Sequence, residues 1–382
     1  MLLERGDVAP DTPDNDGRTP LLWAAGKGHE GIVKMLLEQE NVAPGGADKD
    51  GQSPLLWAAG MGYEGVVRML LKSEGVTPNT ADKGGRTPLL WAAGKGHAGV
   101  VKALLEREEV TLDTMDIHGR TPLSWAAGNG REGIVRIFLE REDVAPDTAD
   151  KHHLTPLSWA ARKGHRGIVK MLLERGDATH SVADKDGRTP LSWAAEFGHE
   201  EIVKILLELE DVTPDTADKE GRTPLSRAAG NGHGNIVKVL FERGGVAPHT
   251  ADNDGRTPLM WAARNRHRGA VKTLLRLEDI TLAAADKSSR TILSLAAKPG
   301  HIREVEMFSE RCNASQDIVM TDLTCQTAVA RTSRKQDGQA PKRLFEDHGF
   351  VTQAARSDNA TGFFLPERSV SSHHPSKRTR RS

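Results

Sequence analysis

The chain has 382 residues, 27% of them charged, and a net charge of −1. That balance argues against a nucleic-acid-binding surface spread over the whole protein, and no apolar run in the sequence is long enough to span a bilayer. The two cysteines, Cys312 and Cys325, both lie late in the chain, which argues against a disulfide framework or a cysteine zinc site before them.

In chain order, the first string is Met1-Leu-Leu-Glu-Arg-Gly-Asp7, and the same string recurs from Met171 to Asp177. In the second location it ends an apolar-periodic helix. Residues 1–13 therefore read as the truncated end of a preceding unit, and the sequence is expected to be a fragment of a longer protein. The first full unit opens at Asp14. Its Asp-Gly pair (Asp16, Gly17) predicts a tight turn, Thr19 an N-cap, and Pro20 the first position of a short helix that closes at Gly28. A second helix is predicted through Ile32, Val33, Leu36 and Leu37, one apolar stripe at helical period. Lys34 and Glu38 lie four apart on its wet face, and the same pairing is expected at Lys102/Glu106, Lys170/Glu174 and Lys204/Glu208. A Val-Ala-Pro loop leads into the next turn.

This unit repeats every 34 residues. Trp23, Trp57, Trp91, Trp125, Trp159, Trp193 and Trp261 all fall on that period, and Arg227 occupies the one skipped position. A turn aspartate recurs from Asp14 to Asp286 and a capping Thr or Ser from Thr19 to Thr291, giving nine units over residues 14–311. A period of this size means one supersecondary unit stacked many times, each touching only its neighbours.

The order Asp-Gly, T-P-L-x-x-A-A, Gly-His and I/V-V-K-x-L-L resembles the ankyrin repeat. The W-x-x-L-G-x-x-Y signature of the tetratricopeptide repeat, which shares the 34-residue period, is missing. The resemblance implies an all-α, ankyrin-type α-solenoid, with a helix-turn-helix and a β-turn finger per 34-residue repeat. It departs from the family at the T-P-L-H histidine, replaced by residues such as Leu22, Leu56, Ser124 and Ser158. The mix of T-P-L-S-W-A-A with D-V-x-P-D-T is similar to the C-terminal ankyrin arrays of fungal NTPase-type immune-like receptors. The resemblance implies a non-enzymatic scaffold that binds protein partners through its concave face and turn tips, without cofactor or metal. No phosphate loop or catalytic motif contradicts that. A ligand-sensing repeat fragment of a larger signalling NTPase is the second reading. Neither nucleic acid nor membrane is expected as a partner, and the chain is expected to be a monomer.

Specificity in such an array must come from what differs between units. The candidate contacts are Tyr63, His118, Arg131, His152, His153, Phe197 and Arg227, with Trp193 and Trp261 from the aromatic row. The tryptophans have two readings. They line the groove, or they wedge between successive first helices. The wedge is favoured because an open row of seven indoles would be an aggregation hazard. The histidine series (His29, His97, His165 and onward) reads as a structural Gly-His turn, because helices 8–10 Å apart cannot bring imidazoles to one zinc. The arginine row from Arg18 to Arg290 reads as a solvated face beside the aspartates.

The ninth unit fades at Ile292, Leu295, Glu304 and Ser309. Residues 312–349 read either as a degenerate tenth repeat, with Pro341 breaking its second helix, or as a linker. Residues 350–382 read as a disordered basic tail; from Cys312 onward there are 11 Lys and Arg against 7 Asp and Glu. Lys377, Arg378, Arg380 and Arg381 form a cluster that reads either as a nuclear import signal or as a solubilising tail. With no secretory h-region, an intracellular protein is expected, cytoplasmic with the nucleus as the second compartment.

Overall fold

Each first helix starts because a Thr or Ser hydroxyl accepts the backbone N–H three residues on, at 3.2 Å in Thr19/Leu22, and because a proline follows it. The chain then turns through a left-handed residue, Gly28 at φ 73° in the first unit, and starts a second helix two residues later. In this computed structural model the described residues are 10–276, apart from 177 and 244, together with 285–288, 290, 292 and 295. They lie within the first of two compact units, Met1–Thr332; the second is Ser333–Ser382. The readings of residues 1–9, 312–349 and 350–382, including Lys377 to Arg381, fall outside the described residues.

Sixteen helices and no strand occur among the described residues. The first helices are α1 (Pro20–Lys27), α3 (Pro54–Met61), α5 (Pro88–Lys95), α7 (Pro122–Gly128), α9 (Pro156–Lys163), α11 (Pro190–Phe197), α13 (Pro224–Gly230) and α15 (Pro258–Arg264). The second helices are α2 (Glu30–Leu37), α4 (Glu64–Leu70), α6 (Ala98–Leu105), α8 (Glu132–Leu139), α10 (Arg166–Glu174), α12 (Glu200–Leu207), α14 (Gly234–Glu242) and α16 (Arg268–Leu275). First helices pack on first helices and second on second, each against its sequence neighbour. This is the all-α solenoid expected from the sequence. The core runs as one continuous seam of Leu21, Ala24, Ala25, Val33 and Leu36 and their equivalents. At the T-P-L-H position Leu22 is buried, while Ser124, Ser158, Ser192 and Ser226 hydrogen-bond the capping threonine hydroxyl.

The second-helix stripe needs one correction. Ile32 is 44% exposed, whereas Val66, Val100, Ile134 and Ile168 are buried. The ion pairing on the wet face is also corrected. Lys204 binds Glu200 and Glu201, not Glu208, and Arg68 joins Glu64 to Glu106 of the next unit.

Between the units, one backbone hydrogen bond links each turn tip to the next, from Lys49 N to Asp16 O through to Lys287 N to Asp254 O. Seven of these turns place a glycine at positive φ, as at Gly17, but the fifth turn places His153 there, at φ 62°. The left-handed region costs a residue with a Cβ about 1 kcal/mol. His153→Gly is therefore expected to stabilise the fifth unit by about 1 kcal/mol, read as a higher urea midpoint. An unchanged or lower midpoint would mean that the imidazole makes compensating contacts.

Candidate binding surface on the first helices

The surface is organised by the turn aspartate. One oxygen of Asp116 accepts the backbone N–H groups of His118 and Arg120, at 2.8 and 2.9 Å, which holds the turn. The other accepts the indole N–H of Trp125 at 3.0 Å, which ties the turn to the following helix. The same indole bond occurs at Trp23, Trp91, Trp159, Trp193 and Trp261. Trp57 is the exception, with a buried and unpartnered Nε1. Its ring tilts against Trp23 under the Arg18 guanidinium, and Arg18 approaches Asp48 instead, at 3.8 Å.

Burial pushes the carboxyls of Asp82 and Asp116 upward. The amides of Arg86 and Arg120, their guanidinium groups and the two indoles outweigh it, so both titrate below the usual carboxylate range. Asp14 is lowered too, first by the Arg18 amide. In the outer loops the direction reverses. Burial raises Asp113, with Asp143 adding to it, and burial raises Asp215 against the bond it accepts from Ala247 N.

From Trp57 onward each tryptophan ring packs against the unit before it, as the wedge reading expected. The Trp57 ring covers Gly26, and a Cβ at Gly94 would come within 2.7 Å of Trp125 Cε3. At Gly60, Gly128 and Gly230 the next tryptophan is the nearest neighbour at 3.5–3.7 Å. Where the earlier residue is Arg162, its guanidinium lies 4.5 Å from the Trp193 ring centroid. Where it is Glu196, a carboxylate would face an electron-rich indole, and the next unit supplies Arg227 instead. The Arg227 guanidinium binds Asp218 and Glu220 and lies 3.5 Å from Glu196. The skipped tryptophan is therefore explained by the residue it faces.

The histidines have a role that the sequence reading did not find. His97 Nε2 meets Gly60 O at 3.1 Å, His199 meets Arg162 O and His233 meets Glu196 O, so each caps the first helix of the preceding unit. With the proton on Nε2 the ring donates to that carbonyl. Arg131 does the same for Gly94 O at 3.3 Å. Among the described residues no three His, Cys, Asp or Glu side chains gather as a metal site requires.

The candidate contacts thus divide. Arg227 and Trp193, two of the candidate contacts, are buried, 7% and 4% exposed, and lie inside the stack. Arg131 is tied into an inter-unit cap. Trp261 is half-buried and flanked by Arg222, Arg256 and Arg264. Tyr63 packs on Gly28 with part of its ring open, and His118, His152 and His153 are exposed on neighbouring turn tips. Phe197 is 45% exposed and stacks on Trp193, with centroids 5.8 Å apart. Four exposed apolar residues were missed: Met35 on α2, Met61 at the end of α3, and Met115 and Ile117 at the fourth turn. The signal was available, because every other described unit carries Pro or Ala in place of Met115 and Lys or Asn in place of Ile117.

The exposed face of the first helices also contains a cleft of about 480 Å3 between α3 and α5. Trp57 and Trp91 form its walls, with Gln52, Met61 and Lys95 at the rim. A family model described as ankyrin repeats (3 copies) matches seven overlapping stretches, residues 1–82, 74–148, 112–184, 142–216, 176–249, 209–284 and 244–322. A search of curated proteins finds no match.

Two outcomes are expected. Arg227→Trp should lower stability by about 2 kcal/mol, less than the loss of a buried ion-pair partner because the new indole can donate to Asp218. Adding Glu196→Gly should recover most of that loss; strictly additive effects in urea unfolding would sink the pairing account. The second concerns acid. Asp82 and Asp116 have folded pKa values below the unfolded value of about 4, so their contribution is complete above about pH 4 and is lost as pH falls through the folded values. The gap in thermal midpoint between the wild type and Asp82→Asn should shrink from pH 7 to pH 3. A constant gap would remove ionisation from the explanation.

Proposed function

Because the chain belongs to the ankyrin-repeat family, we propose that it is a non-enzymatic scaffold that binds protein partners along the exposed face of its first helices and at its turn tips. The observation that carries this reading is the distribution of irregularity. The core positions of eight units are nearly identical, while the exposed positions Met61, Met115, Ile117, His118, His152 and Phe197 each break the pattern of their row. Exposed apolar side chains set among polar neighbours are the usual mark of a contact surface. None of the described helices is long and apolar enough to cross a membrane.

A second reading is the ligand-sensing array of a larger signalling NTPase. It rests on the T-P-L-S-W-A-A and D-V-x-P-D-T strings, which resemble fungal receptor arrays. An upstream reading frame with further repeats and then G-x-x-x-x-G-K-[ST] would support it, and a stop codon immediately upstream would end it.

For the scaffold reading, proteins cross-linked to the wild-type chain should be lost with Met61→Glu on the first-helix face or Ile117→Asp at a turn tip, and retained with Lys170→Glu on α10. Loss that follows Lys170→Glu alone would move the contact surface to the second helices.

A further inference from the structure

The residue that ends or directly follows each first helix forms an exposed row across the stack. In chain order it reads Lys27, Met61, Lys95, Asn129, Lys163, Phe197, Asn231 and Asn265, and every one of these residues is exposed. Charge on this face is one-sided. The eight described first helices carry Lys27, Lys95, Arg162, Lys163 and Arg264 outside the core against a single acid, Glu196, which faces the buried Arg227. Lys27, Lys95 and Lys163 form no ion pair among the described residues, although Lys95 lies 5.7 Å from the Trp91 centroid. The turn-tip arginines differ, since their guanidinium groups are engaged by the turn acids, as Arg86 is by Asp82 and Arg256 by Asp254. Unpaired cations therefore alternate with apolar or neutral positions over the first six positions of the row.

We propose that this row holds an extended acidic segment of a partner protein, with carboxylates meeting Lys27, Lys95 and Lys163 and large apolar side chains meeting the Met61 cleft and Phe197. The proposal rests on the scaffold reading and assigns the chemistry of its ligand. Packed helices repeat every 8–10 Å, and an extended chain advances about 3.3 Å per residue, so three residues span one unit. The segment then places an acid every sixth residue, with an apolar residue midway between the first two acids. The cleft of about 480 Å3, walled by two indoles, accepts a leucine-sized or aromatic side chain beside the Lys95 ammonium. The basic end of the same chain, with Lys377, Arg378, Arg380 and Arg381, has the wrong sign to occupy the row.

The test is selection of a random 20-residue peptide display library on the full chain. Enriched peptides should be acidic, with Leu, Ile, Phe or Trp three residues from a carboxylate. Their synthetic forms, followed by fluorescence anisotropy, should bind at least tenfold more weakly to Met61→Glu and to Lys95→Glu, and within twofold of wild type to Lys170→Glu. Circular dichroism checks that these surface variants remain folded. Replacing the peptide acid opposite Lys95 with lysine should restore binding to Lys95→Glu. Enrichment of basic or uncharged peptides, an acid–apolar spacing of seven that marks a helical ligand, or no enrichment would overturn the proposal. Peptides that lack acids but remain sensitive to Met61→Glu would overturn it while leaving the first-helix surface standing. Peptides insensitive to both variants would remove both.

Discussion

The stack depends on one turn carboxylate per unit, buried in every described unit after the first. The turn aspartate uses one oxygen to hold two backbone amides and, in six units, the other to hold an indole nine residues later, so a tight turn and the start of the next helix are fixed by a single side chain. Hydrogen bonds to a charged acceptor contribute about 1.5–3 kcal/mol, and leaving such a group buried without them costs more. A fixed indole then provides the surface on which the preceding unit packs. Turn, helix start and junction are thereby coupled, and the 34-residue period is the length over which that coupling repeats.

Much of this was readable in the amino-acid order. The Thr-Pro starts, the closing glycines and the apolar stripes are local signals, and local signals survive in a linear string. The wedge position of the tryptophans also followed, from helical periodicity and the hazard of an open aromatic row. What the sequence reading missed are relations between units. The bond from His97 to Gly60 O and the approach of Arg227 to Glu196 cross 37 and 31 residues, and neither is visible until the stack is assembled. Arg227 drew attention because it broke a pattern. Its cause was another break, Glu196, in the neighbouring unit.

The same distinction sorts the surface. A departure that faces a neighbouring unit is answered there, as Arg131 is by Gly94 O, and becomes part of the junction. A departure that faces solvent, such as Met61 or Ile117, has no answer within its own junctions. In a stack where each unit contacts only the next, this is a physical criterion for separating structural irregularity from recognition.

The junctions have a consequence for how the array can change. Five of them present glycine to tryptophan and are interchangeable, so a whole unit bounded by two such joints can be duplicated or removed and the new neighbours still fit. The joint between Glu196 and Arg227 is keyed. Excising the unit that carries Arg227 would set Glu196 against Trp261, so the units on either side of that joint fit each other only as a pair. Recombination can lengthen or shorten the array on both sides of the pair, which makes it a fixed reference point along an otherwise modular chain.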